Sequence, residues 1–564
     1  MRTRSVLLAI LFLGPLSLPA AGGSASTPDP AIDHALSQIR PEAIRAHIEF
    51  LADDLLEGRA PGTRGYELAA RYVASQFEML GLTGAGDNGT YFQAVPFRTA
   101  TLQPKESSLT LVRGGQAQLL TYGQDYVMTP DFLRPEVSAQ TPLVFAGFGV
   151  TAPELHYDDY ARVDARGKVI VVLRGAPSTF HPDQRAHYSS RRGKQRNAIA
   201  HGAVGMLSLM TPESERRIPW QRVVRRSKMA SLRWLDKQGA PSDSWAELRG
   251  LALLSRSGAE AVFVGAPTPL EEVFAAAKDG HPPAFDLSVK IRMRTVSQHG
   301  QIASANVAAI LPGSDPHLRA EYVVYTAHLD HIGVTEPVEG DAINNGAYDN
   351  ASGVATLLEI ARAFTRLRQP PRRSLLFLAV TAEERGLLGS DYFARHPTVP
   401  RAGLVANVNL DMFLMLYPVQ DIVAFGAEHS TLGAVVQKAA ARVGLEVTPD
   451  PMPEQSLFIR SDQYSFVRQG VPAVFMMAGF KSADPSLDGA ALVEDWLKTR
   501  YHSPTDDLSQ EMDFASGVKF TQTNFLIGYW VANQMERPIW NHGDFFGERF
   551  GRHAAAARPA SSTR

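Results

Sequence analysis

The chain has 564 residues, 45% hydrophobic and 20% charged, with 56 Lys and Arg set against 58 Asp and Glu and no cysteine. A chain of this length is expected to divide into roughly two to four domains with real cores, which excludes wholesale disorder. The balanced charge gives no general pull toward nucleic acid or an acidic membrane surface, and the lack of cysteine excludes disulfides, thiolate ligands and a cysteine nucleophile.

Residues 1–25 read as a signal peptide. Arg2 and Arg4 supply the positive end, Ser5 to Ala20 is an apolar run broken by Gly14 and Pro15, and Ala20, Ala21 and Ala25 suit cleavage. The run is too short and interrupted to span a membrane comfortably, and no later stretch is long and apolar enough. The expectation is an exported protein with no membrane span after signal removal, periplasmic or extracellular. The absence of disulfides favours a bacterial setting.

Residues 39 to 82 read as two helices around a turn. Ile44, Ile48, Leu51 and Leu55 lie at helical spacing, as do Tyr66, Ala69, Val73, Phe77 and Leu80. Gly58-Arg59-Ala60-Pro61-Gly62 between them is turn chemistry, and Gly81 is a helix stop. From about residue 130 to 300 come short strand-like runs at Pro142 to Phe145, Val169 to Leu173 and Ala261 to Val264. The basic stretch from Arg185 to Lys228 between them reads as a solvated surface loop, because its charges follow no one helix face.

From about residue 304 strands and helices alternate. Glu321 to Ala327, Ser374 to Val380, Leu404 to Leu410 and Val471 to Met477 are strand runs. Ser352 to Leu367, with Ser352 as N-cap, Leu432 to Val443 and Phe525 to Met535 are helix runs. Near-continuous apolar strands alternating with helices predict an α/β fold, a mixed, largely parallel sheet flanked by helices. The tail 551–564 is rich in Ala, Arg and Ser and reads as disordered.

Polar residues stand where four of these segments begin or end. His328-Leu329-Asp330 follows the first strand, Glu383-Glu384 the second and Asp411 the third, while Asp349-Asn350 precedes the helix at Ser352. Ligands of open α/β sheets bind outside the carboxyl ends of the strands, so these groups can converge in one crevice. Carboxylates and imidazoles packed together need a cation, and a His and carboxylate set without thiolate suits zinc with an open position. Of His328 and Asp330, two apart on an extended segment, one can bind metal while the other orients it. Of Glu383 and Glu384, one can be a ligand and the other a general base. A distant histidine, His502 in Tyr501-His502-Ser503-Pro504-Thr505-Asp506, can complete a second site. Each residue alone has a structural reading as a cap, a solvated pair or a hydrogen-bonded strand end.

The runs Ala327 to Asp330, Asn345 to Val354, Thr381 to Ser390 and Asn409 to Met412, followed by Arg460 to Phe466 and Tyr501-His502, resemble the co-catalytic di-zinc exopeptidases of family M28. This family includes bacterial leucyl aminopeptidase and glutamate carboxypeptidase. The resemblance covers about residues 39 to 127 and 300 to 535. Phe145-Ala146-Gly147-Phe148-Gly149 and Gly202-Ala203-Val204-Gly205 are similar to the β-rich protease-associated domain inserted in many members. The implied organisation is an N-terminal part of the peptidase domain over 35–130, an inserted domain over 131–300 and the catalytic domain over 301–540.

The resemblance implies a site of two Zn2+ ions. Asp349 would bridge them, His328 and Asp411 would complete one, and Glu384 and His502 the other. Asp330 would hold His328 from behind, Glu383 would be the general base, and Tyr501 would donate to the oxyanion. The Asp349-Asn350 bond is expected to be cis. The implied activity is removal of N-terminal residues from peptides. A carboxypeptidase or dipeptidase of the same family would need cations for a substrate carboxylate, with Arg385, Arg460, Lys498 and Arg500 as candidates. A binding protein on a dead peptidase scaffold, or a one-zinc glutaminyl cyclase, fits less well, since all five ligands and the base are present.

Overall fold

The helix Pro41–Leu51 opens on a proline in its first turn and buries Ile44, Ile48 and Leu51 on one face. Each such aliphatic side chain contributes about 1.5–3 kcal/mol when fully buried. The helix Arg64–Met79 is capped by Thr63, whose hydroxyl accepts from the Tyr66 N–H, and it stops where Gly81 adopts φ +72°. In this computed structural model residues 30–551 are described. The expected signal peptide and all of the tail beyond Gly551 lie outside the described residues.

The main sheet is built on four parallel strands, Ser374–Val380, Tyr322–His328, Leu404–Asn409 and Ala473–Ala478, in that spatial order. Asp421–Phe425 joins antiparallel to Ala473–Ala478, and Glu446–Thr448 lies parallel beyond it. On the other side the strand Ala284–Leu311 pairs antiparallel with Ser374–Val380, and Phe92–Leu102 pairs antiparallel with it in turn. The sheet is therefore mixed and largely parallel at its centre. The helices Pro41–Leu51, Arg64–Met79, Ser352–Thr365, Leu432–Arg442 and Phe514–Asn533 share one core with its buried strand residues. Ser352–Thr365 and Phe514–Asn533 are buried along most of their length.

A second sheet has its own core. It contains Glu136–Ala146, Val169–Leu173, Gly205–Leu209 and Leu251–Leu254, together with Ser108–Arg113, Gln116–Leu119 and Tyr126–Thr129. The last three precede residue 131, so this second sheet draws on strands from Ser108 onward. The 28-residue strand Ala284–Leu311 runs through both sheets. Its first half pairs with Glu136–Ala146 and its second with Phe92–Leu102.

Three local expectations are corrected. Ala261 to Val264 is not a strand but mostly falls in the helix Arg256–Phe263, capped by Ser255. The basic stretch is not a loop. It forms the helices Pro182–Tyr188, Arg191–Ala200 and Trp220–Ser227 around the strand Gly205–Leu209, and it buries Lys194, whose ammonium donates to the Leu173 and Gly175 carbonyls. Ser352 does not cap its helix, because a wide turn at Ala347–Ala351 precedes it, and its hydroxyl donates back to the Tyr348 carbonyl. No helix of the described residues is long and apolar enough to cross a membrane.

Candidate metal centre

The parallel strands deliver their polar ends to one place, as the strand-end rule predicts. His328 closes Tyr322–His328, Glu383 and Glu384 follow Ser374–Val380, and Asp411 follows Leu404–Asn409. Asp349 comes from the turn before Ser352–Thr365, and its bond to Asn350 is cis. His502 arrives from the loop after the helix Gly489–Thr499, at φ +55°.

The donors form two groups that share Asp349. In the first, His328 Nε2 lies 3.2 Å from Asp349 Oδ1 and 3.2 Å from Asp411 Oδ1. In the second, His502 Nε2 lies 3.1 Å from both Asp349 Oδ2 and Glu384 Oε1. Ligands in a tetrahedral zinc site with bonds of about 2.0–2.1 Å stand about 3.3 Å apart, longer than the about 2.7–2.9 Å of an ion-paired hydrogen bond. The observed separations match ligand spacing around a cation. All five expected ligand residues are brought together.

Supporting contacts fix these side chains. His328 Nδ1–H donates to the Asp330 carbonyl at 3.0 Å, which leaves the Nε2 lone pair facing the carboxylates. Asp411 Oδ2 accepts from the Ser461 hydroxyl at 2.6 Å. The Asp506 carboxylate accepts from the Tyr348 and Asp349 N–H groups, each at 3.0 Å. Asn350 donates to the Leu410 carbonyl and accepts from the Gly353 N–H, tying the turn to the neighbouring strand end.

Asp330 departs from expectation. Its backbone carbonyl, not its carboxylate, holds His328. The carboxylate accepts from the Glu383 and Glu384 N–H groups at 3.0 and 3.3 Å. The chain leaves extended geometry at the strand end, so alternation no longer keeps the two side chains together, and Asp330 instead shapes the loop that presents both glutamates.

Three contributors were assigned no role from the sequence. His331, fully buried, points Nδ1 at Glu384 Oε1 from 3.0 Å and at Asp349 Oδ2 from 3.9 Å. Neither ring nitrogen has a hydrogen-bond partner, and neither does Glu384 Oε1. Gly346 makes room for this ring, since a Cβ there would stand 2.6 Å from His331 Cγ. The one signal was the spacing His328-Leu329-Asp330-His331. Arg59, buried in the expected turn, donates to the carbonyls of Leu51, Leu329, Asn345 and Gly346 and so ties down both metal-centre loops. Asp462 is buried with both carboxylate oxygens unpartnered.

The electrostatics show what the cluster lacks. Burial raises Asp462 to about 7 against the attraction of His328, with Asp411 and Asp330 adding to the rise. Burial also holds Glu383 well above the ordinary carboxylate range; His328 opposes this and Glu384, Asp462 and Asp411 reinforce it. Burial disfavours charge on His328, yet Asp411, Glu383 and Asp349 hold it well above an ordinary histidine. The centre thus retains protons that a divalent cation would displace. Tyr501 stacks on His502 with ring centroids 3.8 Å apart, and burial keeps its hydroxyl protonated.

The model of peptidase family M28 matches residues 306–524. Over these residues the chain is similar to that family. All five ligand candidates lie within the M28 segment. It is similar to a "Probable zinc metalloprotease" of Pyrenophora teres f. teres, 37% identical over 106 residues, covering 19% of this chain and 22% of that protein. It is also similar to "Leupeptin-inactivating enzyme 1" of Streptomyces exfoliatus, 28% identical over 218 residues, covering 37% of this chain and 44% of that one. The chain therefore spans less than half the length of these curated relatives. Among solved structures the aminopeptidase from Aneurinibacillus sp. strain AM-1 has a similar fold, with a TM-score of 0.53 at 20% identity, covering 90% of this chain and 97% of that one.

Proposed function

We propose that this M28 protein is an exported, zinc-dependent aminopeptidase that removes N-terminal residues from peptides. The observation that carries the reading is the pair of donor groups sharing Asp349, at separations of 3.1 and 3.2 Å that suit two adjacent cations. The names of the relatives, a zinc metalloprotease and a leupeptin-inactivating enzyme, support the same class. A "probable leucine aminopeptidase 2" of Aspergillus oryzae, 28% identical over 199 residues, favours the amino end.

The residues present fit two zinc ions. Asp349 would be shared, His328 and Asp411 would hold one, and Glu384 and His502, with His331 beside them, the other. Bound there, the ions would supply Lewis acidity and bring the pKa of a water toward neutrality. The remaining chemistry belongs to side chains of this chain. Glu383, half-buried next to Glu384, accepts the proton of the attacking water and returns it to the leaving amine. Tyr501 donates its hydroxyl hydrogen to the substrate carbonyl oxygen as that oxygen gains charge. Asp330 holds the Glu383 and Glu384 backbone so that the two carboxylates keep their separate tasks.

Glu383→Gln is expected to keep native zinc content and lose turnover by roughly 10²–10⁴-fold. Near-native turnover would show the base to be elsewhere. A panel of aminoacyl-anilides beside N-blocked peptides with free carboxylates tests the end specificity. One observation favours the second reading, a carboxypeptidase or dipeptidase: Arg226 of the inserted unit donates to the Glu384 carbonyl at 2.6 Å, placing a cation at the centre. Cleavage only of substrates with a free carboxylate would establish that reading and sink the first.

A further inference from the structure

A second group of metal-competent side chains lies where the helix Pro182–Tyr188 of the inserted unit meets the turn Ala427–His429 and Asp544, the N-cap of the helix Phe545–Phe550. His429 is 2% exposed. Its Nδ1 is 2.6 Å from Asp544 Oδ2. A carboxylate can only accept, so Nδ1 carries the ring proton and Nε2 presents its lone pair. Nε2 has no hydrogen-bond partner, yet it faces Asp183 Oδ1 at 3.4 Å and Glu428 Oε1 at 3.6 Å.

The two sides of this one ring differ in kind. The Asp544 contact has the length of an ion-paired hydrogen bond. The contacts on the other side are too long for that, and instead approach the about 3.3 Å edge of a tetrahedral site with bonds of about 2.0–2.1 Å. A lone pair aimed between two carboxylates is repulsive unless something positive lies between them. A carboxylate behind the ring, fixing its tautomer and raising its basicity, is the usual support of a metal-bound histidine. We propose that Asp183, Glu428 and His429 bind a divalent transition-metal ion separate from the catalytic pair, with Asp544 positioning the imidazole. Imidazole with carboxylate and no thiolate suits zinc.

The rival occupant is a proton. Burial works against charge on His429, but Asp183, Asp544 and Glu428 outweigh it and push the ring to about 10. An imidazolium would shorten the Nε2 contacts to hydrogen-bond length, which these are not. A metal here would bolt the inserted unit to the catalytic unit, because Asp183 belongs to the first and the other two ligands to the second.

The test counts zinc per chain in the full-length protein, saturated with zinc and desalted, against the Asp183→Asn/Glu428→Gln double variant. The expected result is one equivalent less in the variant and a smaller zinc-induced rise in Tm. Glu428→Gln alone alters a side chain that is 60% exposed, so it leaves the packing intact. It is expected to weaken the extra equivalent at least tenfold in a chelator competition. Equal zinc content and equal Tm response in all three proteins would overturn the proposal in favour of the imidazolium. Because the difference between proteins is read, not the total, the result stands apart from any failure of the peptidase reading.

Discussion

His331 has no role in the five-ligand arrangement, yet it is buried beside Glu384 with both ring nitrogens unpartnered. A buried imidazole left without partners is costly, and a cation or a bound water at the centre would remove that cost. His331→Ala is therefore expected to weaken zinc at the Glu384 and His502 position by roughly 10–100-fold. Chelator competition on the protein measures this, and unchanged retention would assign the ring to packing alone. His328, Glu384, Asp411 and Asp349 were legible because they stand at strand ends or before a helix, whereas His502, in a loop after Gly489–Thr499, was picked out by the family motif alone. His331 and Arg59 were not. A histidine three residues beyond another, and an arginine after a turn glycine, have no spacing of their own, and their importance arises only when distant loops close over them. Asp330 was assigned to the right place with the wrong atom, since side-chain alternation fails where a strand ends.

The parallel strands were the easiest elements to read, because strands buried on both faces are near-continuously apolar. Ser374–Val380 has the expected bounds, and its neighbours differ by one or two residues. The inserted unit was harder. Ala261 to Val264 has the composition of a strand but sits behind Ser255, whose cap decides for helix. The helix Pro182–Tyr188 carries a pH-dependent contact. His187 meets the Tyr464 hydroxyl at 2.9 Å and the rings of Tyr188, Phe545 and Phe550, and burial lowers it to about 3. A histidine lowered in the folded state gives stability that is complete above its ordinary 6.5 and is lost as the pH falls through about 3. His187→Gln is expected to flatten the stability profile over that window relative to the native chain, as followed by urea unfolding. Identical slopes would show the ring to be solvated.

At the scale of the whole molecule, a near-neutral chain hides a strongly acidic centre. Removing zinc should leave Asp349, Glu384, Asp411 and their neighbours facing one another, compensated by protonated His328 and His502 and by Arg226 beside Glu384. A ligand present at about 1,000 times its Kd adds about 4 kcal/mol of stability. Dialysis against a chelator is therefore expected to lower Tm by several degrees and to be reversed by zinc. A phosphine reductant should change nothing, because the chain has no cysteine. Scanning calorimetry of the four samples checks both statements, and a Tm indifferent to chelation would remove the metal from the account of stability.

The strand Ala284–Leu311 gives the insertion its mechanical character. An added module usually hangs on two loose connections and can swing or be exchanged. Here one of the two crossings is a continuous ribbon, hydrogen-bonded to Glu136–Ala146 along its first half and to Phe92–Leu102 along its second. The second sheet is a cantilever cast in one piece with the main sheet. Bending it means shearing a ladder, so Arg226 is carried to the rim of the metal centre on a stiff arm. For protein engineering this means that no cassette boundary exists near residue 300. A cut there severs a strand in the middle of its pairing and frees the edge on which the main sheet is laid.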